Sequence, residues 1–205
     1  MTARYALFRW NREIAELPGF PEAFQARWNL APGAQLLMLR MDAGQRRADL
    51  ARWGLTPPWL TDLSRTPAHA RAETLAEQPM FREAFRERRC LVPANGFYEW
   101  RGSGRKRPYW MSAEASLLYF AAIWEAYPVA GQVYLSLALV TQAAASLRRP
   151  LLLDEAGQAS WLDAEAPQPE LRALLTRPQP PLRERVLADL VNDPRLDAPE
   201  CLTPA

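Results

Sequence analysis

Apolar residues in this chain fall mostly in short alternating or continuous runs, the spacing of strands more than of helices. Tyr5, Leu7 and Phe8 mark a strand within residues 3–10, and Leu36-Leu37-Met38-Leu39 marks another after a turn at Ala31-Pro32-Gly33. Residues 49–55 read as its hairpin partner across Asp42-Ala43-Gly44, and Pro57-Pro58 stops that strand. Residues 61–72 carry no period and read as a loop. Within 73–88, Met80, Phe81, Ala84 and Phe85 sit at helical spacing between charges, and Pro79 suits a first turn. Strand-length runs return at 108–111, 117–124 and 133–141, with Leu151-Leu152-Leu153 as a further short one. Gly102-Ser103-Gly104 reads as an exposed hairpin turn, and Ser160-Trp161-Leu162 opens a short helix or loop.

The stretch from Arg88 to Trp100, RRCLVPANGFYEW, organises the rest. Cys90-Leu91-Val92 suits a buried strand, Pro93 and Asn95-Gly96 force a turn, and 97–100 resumes as aromatic strand. One carboxylate, Glu99, sits between Tyr98 and Trp100. Such a group is paired, solvated in a cleft, held as the neutral acid, or placed on the solvent face of an edge strand.

Length bounds the chain to one large domain, or at most one with a small appendage, and a single domain over residues 1–205 is expected, large enough for a core without staples. Eight of its 19 prolines fall after Ala166, so residues 166–205 read as an acidic, proline-rich segment packed on the body, with one helix near 184–190. Many strands and few helices predict an α+β or mostly-β fold. No run of eighteen apolar residues and no signal-peptide pattern occur, so a cytoplasmic protein without a membrane span is expected. The two cysteines, Cys90 and Cys201, lie far apart and do not suggest a disulfide framework. With one histidine they leave too few soft ligands for a typical structural zinc site, and no cofactor is expected.

The net charge of +2 hides an asymmetry. Residues 82–107 hold eight basic and three acidic residues, whereas 154–205 hold five basic and ten acidic. A basic, aromatic middle fits a groove for an anionic, stackable polymer. Of the 25 basic residues only Lys106 is lysine, and arginine is the better bidentate phosphate ligand.

Five ordered strings carry a resemblance: RWNLAPG (27–33), RWGLTPPW (52–59), ARAET (70–74), RRCLVPANGFYEW (88–100) and RPYW (107–110). Weaker ones follow at AAIWE (121–125), RRPLLL (148–153) and VNDP (191–194). Together they resemble the SOS response-associated peptidase (SRAP) family, proteins that recognise abasic sites in single-stranded DNA. The resemblance implies a β-rich, partly closed barrel of mixed and antiparallel strands, with peripheral helices and one basic cleft. It also implies removal of the initiator methionine and attack of an N-terminal cysteine on the ring-opened abasic aldehyde, first as a Schiff base and then as a thiazolidine crosslink. An asparagine, a glutamate and a histidine support that chemistry in the family.

Carried over residue by residue, three of these four catalytic positions are substituted. Thr2 stands for the cysteine, and His69 for the asparagine before Ala-Arg-x-Glu-Thr. Glu99 is retained. The histidine before an Arg-Met-Pro motif is absent from AAASLRRPLLL, where Ser146 or a neighbour takes its place in a shorter loop. An oxazolidine from threonine hydrolyses more readily than its sulfur analogue, so durable crosslinking is expected to be lost or weakened. The resemblance places Arg4, Asn29, Trp53, Arg71 and Trp100 in or near the DNA cleft. From the residues alone, Trp53 and Trp100 are core or base platform, Asn29 is a structural turn position, and Arg71 meets phosphate or pairs with Glu73 or Glu99.

The expected function is binding of single-stranded or abasic-site DNA by a monomer in the DNA damage response. One alternative is an abasic-site lyase or hydrolase acting through the Thr2 amine with His69 and Glu99. Another is a non-enzymatic adaptor whose acidic tail covers the cleft.

Overall fold

The computed structural model describes residues 4–114, 116–144 and 147–205. In chain order the strands are β1 (Tyr5–Leu7), β2 (Arg27–Leu30), β3 (Gln35–Asp42), β4 (Gln45–Trp53), β5 (His69–Arg71) and β6 (Arg89–Ala94). They continue as β7 (Gly96–Arg101), β8 (Arg107–Ser112), β9 (Leu118–Val129), β10 (Gln132–Ala144), β11 (Leu147–Pro150) and β12 (Arg183–Val186). Among the described residues four short α-helices lie outside them, α1 (Arg12–Ala15), α2 (Arg82–Glu87), α3 (Glu155–Leu162) and α4 (Gln168–Leu175), with 3-10 turns at Leu63–Arg65, Asp189–Asn192 and Pro199–Leu202.

The α+β architecture has two parts. Strands β10, β4, β3, β6 and β9 form a ring that closes through the β9–β10 pairing, so the barrel is shut and its edges are satisfied. The ring is mixed, because β10 runs parallel to β4 while the other pairings are antiparallel. Long β10 also carries β5 beyond β4 on one edge and β11 beyond β9 on the other. A second, antiparallel sheet in the order β12-β8-β7-β1-β2 lies beside it.

The central stretch joins the two. All six residues of β6 are buried, because the barrel interior lies on one face and helices on the other. Trp161 of α3 donates its indole N–H to the Cys90 carbonyl at 3.0 Å. The expected turn at Asn95-Gly96 is a corner between sheets, since β6 pairs with β3 and β9 while β7 pairs with β1 and β8. The Asn95 amide oxygen accepts from the backbone N–H groups of Phe8 (2.7 Å) and Arg9 (2.9 Å) and so pins the corner to the first strand. Glycine is required at 96 for room: a Cβ there would stand 2.4 Å from the Met111 carbonyl oxygen and 2.5 Å from the Trp110 ring.

The β3–β4 hairpin forms at the turn read from the sequence, with its second strand starting at Gln45 instead of 49, and Ala43 (φ 47°) and Gly44 (φ 78°) supply the two left-handed residues of the turn. Other readings change. Helical structure in 73–88 shrinks to α2, because turns occupy the residues around Pro79. The loop over 61–72 contains β5, three residues paired in parallel with β10 and too short to show a period. Where a helix is expected near 184–190, residues Arg183–Val186 form β12, whose charged run Arg183-Glu184-Arg185 has no apolar stripe and takes its hydrogen bonds from β8, and only a 3-10 turn at Asp189–Asn192 is helical. The tail's helix is α4, which buries Leu171, Leu174 and Leu175 at helical spacing. No helix among the described residues is long and apolar enough to cross a membrane.

Candidate functional site

Glu99 lies at the seam between the two sheets. Along β7 the strand period sends Tyr98 and Trp100 into a small aromatic cluster with Phe8, Trp28 and Trp110, and Phe97 into the barrel core. Glu99 and Arg101 therefore share the Phe97 face. On that face Glu184 of β12 sits directly across from Met111 of β8, which itself faces Phe97. From the barrel side, β11 brings Arg149 to the same point.

These four side chains form a closed ion-pair network. Arg149 donates from Nε to Glu99 Oε1 at 2.6 Å and from Nη2 to Oε2 at 3.1 Å. Arg101 donates to Oε2 from Nε at 2.9 Å and also from Nη2. Glu99 is 3 % exposed. Its burial pushes the carboxyl pKa up, but the Arg149 and Arg101 hydrogen bonds together outweigh burial and hold it below the usual glutamate value. The second carboxylate, Glu184, takes a fork from Arg101 at 2.7 and 3.0 Å and lies 3.6 Å from Arg149. The hydrogen bond from Arg101 lowers the Glu184 pKa as well. The Arg101 guanidinium stands 4.9 Å from the Tyr109 ring centroid, which fixes its plane.

The network forms the floor of a cleft of about 440 Å³ lined by Trp100, Arg101, Lys106, Leu147, Arg149 and Glu184. A larger groove of about 690 Å³ lies elsewhere, beneath the 177–182 segment; among the described residues Arg177 is its single cation, and it faces Asp154 and Glu155. That balance of charge suits a polyanion less well than the Trp100 cleft does.

The residues singled out from the sequence divide into three groups. Glu99 and Trp100 are at the cleft, where Trp100 is half-buried and donates its indole N–H to Asn192 Oδ1 at 2.7 Å. His69 and Arg71 stand on β5, both on the side opposite buried Ala70. The His69 ring meets Trp53 edge-on at 5.5 Å. Arg71 is exposed, and among the described residues neither of its expected partners takes it. Glu73 instead forks with Arg148 at 2.6 and 3.1 Å, and Glu99 holds Arg101 and Arg149. Thr141 of β10 pairs with Arg71 on one edge and Pro150 on the other, so the two backbones stand roughly 10 Å apart, two strand spacings.

A further set holds the fold. Trp53 is 1 % exposed, donates to the Ala68 carbonyl at 2.8 Å and packs edge-on against Tyr5, so its ring is core and not a platform for a base. Asn29 is buried and donates to the carbonyls of Asp193 (3.1 Å) and Leu196 (2.8 Å), which ties the C-terminal segment to β2. Arg4 donates to the Val191 carbonyl and lies over Trp100, 5.4 Å from the ring centroid, bracing that segment against the cleft wall. Thr2 and Ser146 lie outside the described residues.

Sequence reasoning missed Arg101, Arg149 and Glu184. Arg101 was legible, being two residues beyond Glu99 in one strand and hence on one face. Arg149 comes from 50 residues away and Glu184 from 83 beyond Arg101, and no local signal links them.

A closed mixed barrel flanked by an antiparallel sheet defines the fold class, and the buried carboxylate with its two arginines lies under a cationic cleft of it. The SOS response associated peptidase (SRAP) family model matches residues 1–194, and the chain belongs to that family. Among its relatives are the abasic site processing protein YoqW of Bacillus subtilis, 29 % identical over 98 % of this chain and 99 % of that protein. YoaM of the same organism, another abasic site processing protein, is 30 % identical over 89 % of this chain and 87 % of its own length. A crystal structure of a Bacteroides thetaiotaomicron protein has the same fold, with TM-score 0.78, 22 % identity, and 89 % and 87 % of the two chains covered.

Proposed function

We propose that this protein acts at abasic sites in DNA, holding a single strand non-covalently in the Trp100 cleft, with durable crosslinking through residue 2 lost or much weakened. The state of Glu99 carries the reading. Dehydrating a carbinolamine to a Schiff base needs a proton donor near the reacting carbon. Here the retained carboxyl is kept ionised, and both its oxygens are engaged by Arg101 and Arg149. Thr2 in place of a cysteine removes the sulfur that makes the family's adduct durable. Features suited to strand binding remain: the exposed Arg71, Lys106 at the cleft rim and the half-buried face of Trp100.

Incubation with single-stranded DNA bearing an abasic site, resolved on a denaturing gel, tests the loss of crosslinking. The expected lane shows free DNA without a persistent shifted band. A stable band overturns the reading, and strand cleavage without a band points to a lyase using the Thr2 amine. Fluorescence anisotropy with an intact single strand tests the binding: affinity falls steeply with salt if phosphates are contacted. No binding at low salt leaves the adaptor.

A further inference from the structure

The geometry points to the Arg101–Arg149 pair as a binding site for one phosphodiester of a nucleic-acid strand, held in the free protein by the carboxylate of Glu184. This deepens the strand-binding reading above and rests on it. Three observations lead there. First, the two carboxylates on the pair are unlike: Glu99 is sealed at 3 % side-chain exposure, whereas Glu184 is 45 % exposed and opens onto the cleft. Second, Arg101 meets Glu184 in a planar fork at 2.7 and 3.0 Å, and Arg149 stands 3.6 Å from it. A guanidinium presents the same fork to two phosphate oxygens, so the carboxylate occupies a phosphate-shaped position. Third, the charges close. Two guanidiniums and two carboxylates sum to zero, and a Glu184 side chain rotated into solvent leaves +1, the charge that one phosphodiester neutralises.

Rotation needs no backbone movement, because the Glu184 side chain is 45 % exposed at the cleft while its strand stays paired with β8. Arg101 keeps its bonds to Glu99 throughout, so the pair stays positioned when Glu184 leaves. Trp100 borders the same cleft and gives a neighbouring base a surface to stack on.

The test is anisotropy of a labelled single-stranded oligonucleotide with wild-type protein and Glu184→Gln, which keeps the side chain's shape and removes its charge. Relieved of competition from the carboxylate, Glu184→Gln binds about fivefold more tightly, the upper range for an exposed ion pair. Equal or weaker binding by the variant, with wild type binding, overturns the phosphodiester site and leaves the strand-binding reading in place. Absence of binding by both at low salt overturns both. Should the variant fail to fold, arginine side-chain NMR of the wild type decides: Arg101 and Arg149 resonances shift on oligonucleotide titration, and unchanged resonances overturn the site.

Discussion

Two buried carboxylates in this fold meet opposite fates. Glu99 on β7 and Glu125 on β9 are 3 % and 5 % exposed. Burial is the largest influence on each and raises its pKa. Glu99 has two arginines bonded to its oxygens and ends below the ordinary value. Glu125 has one, Arg88, which it shares with Glu83 and Glu87, and it ends above. Burial alone thus does not set the proton's affinity. The ratio of cations to carboxylates in the network does, at two to two around Glu99 and Glu184 against one to three around Glu125, Glu83 and Glu87.

The sign of each group's contribution to stability follows. Glu99, lowered on folding, stabilises the fold above the ordinary glutamate value, and that stability is lost as pH falls through its lowered folded value. Glu125, raised on folding, makes its contribution below the ordinary value and loses it as pH rises through the raised one.

The largest expected effect comes from removing a cation. Arg149→Met leaves Glu99 with Arg101 alone and costs about 3 kcal/mol at neutral pH, read by chemical denaturation; a loss below that of an ordinary surface ion pair breaks the comparison. Next, Glu99→Gln costs about 2 kcal/mol at neutral pH, and the deficit shrinks as pH falls through the folded value of Glu99. Denaturation at three pH values shows whether it does. Glu125→Gln has the opposite sign: it stabilises by about 1 kcal/mol at neutral pH, where ionising a buried carboxyl is costly, and the gain vanishes in acid. Two variants moving together would defeat the claim that cation count decides. The smallest effect on stability belongs to Arg71→Gln. With no carboxylate partner among the described residues, it leaves the melting curve unchanged to within roughly 0.5 kcal/mol. Its oligonucleotide affinity falls, and the slope of log K against log salt drops by about one.

Much of the fold was legible because it is local. The β3–β4 hairpin shows in its Ala43-Gly44 turn, the buried β6 in Cys90-Leu91-Val92, and the strand nature of β8, β9 and β10 in their apolar runs. Others were not, β2, β11 and α1 among them. β5 is too short for a pattern, and β12 is a charged run that becomes a strand only because β8 offers it an edge. α4 was hidden by flanking prolines in a segment whose composition reads as irregular. At the site, Glu99 stood out as a lone carboxylate in an aromatic strand, whereas the role of Trp53 went to the core once its ring was enclosed by Tyr5 and His69.

By itself, the sequence determined the motifs that mark the family, a threonine at position 2 and the single histidine at 69, and a carboxylate too costly to bury alone. Those are properties of residue identity and short-range period, and they survive without coordinates. Only the tertiary structure decided what Glu99 is bonded to, because its partners reach it from β11 in the other sheet as well as from its own strand. It also decided that an acidic side chain from the tail lies on the arginines of the cleft. Charge pairing between distant segments depends on which strands become neighbours, and that is set by the closing of the barrel and the docking of the second sheet against it.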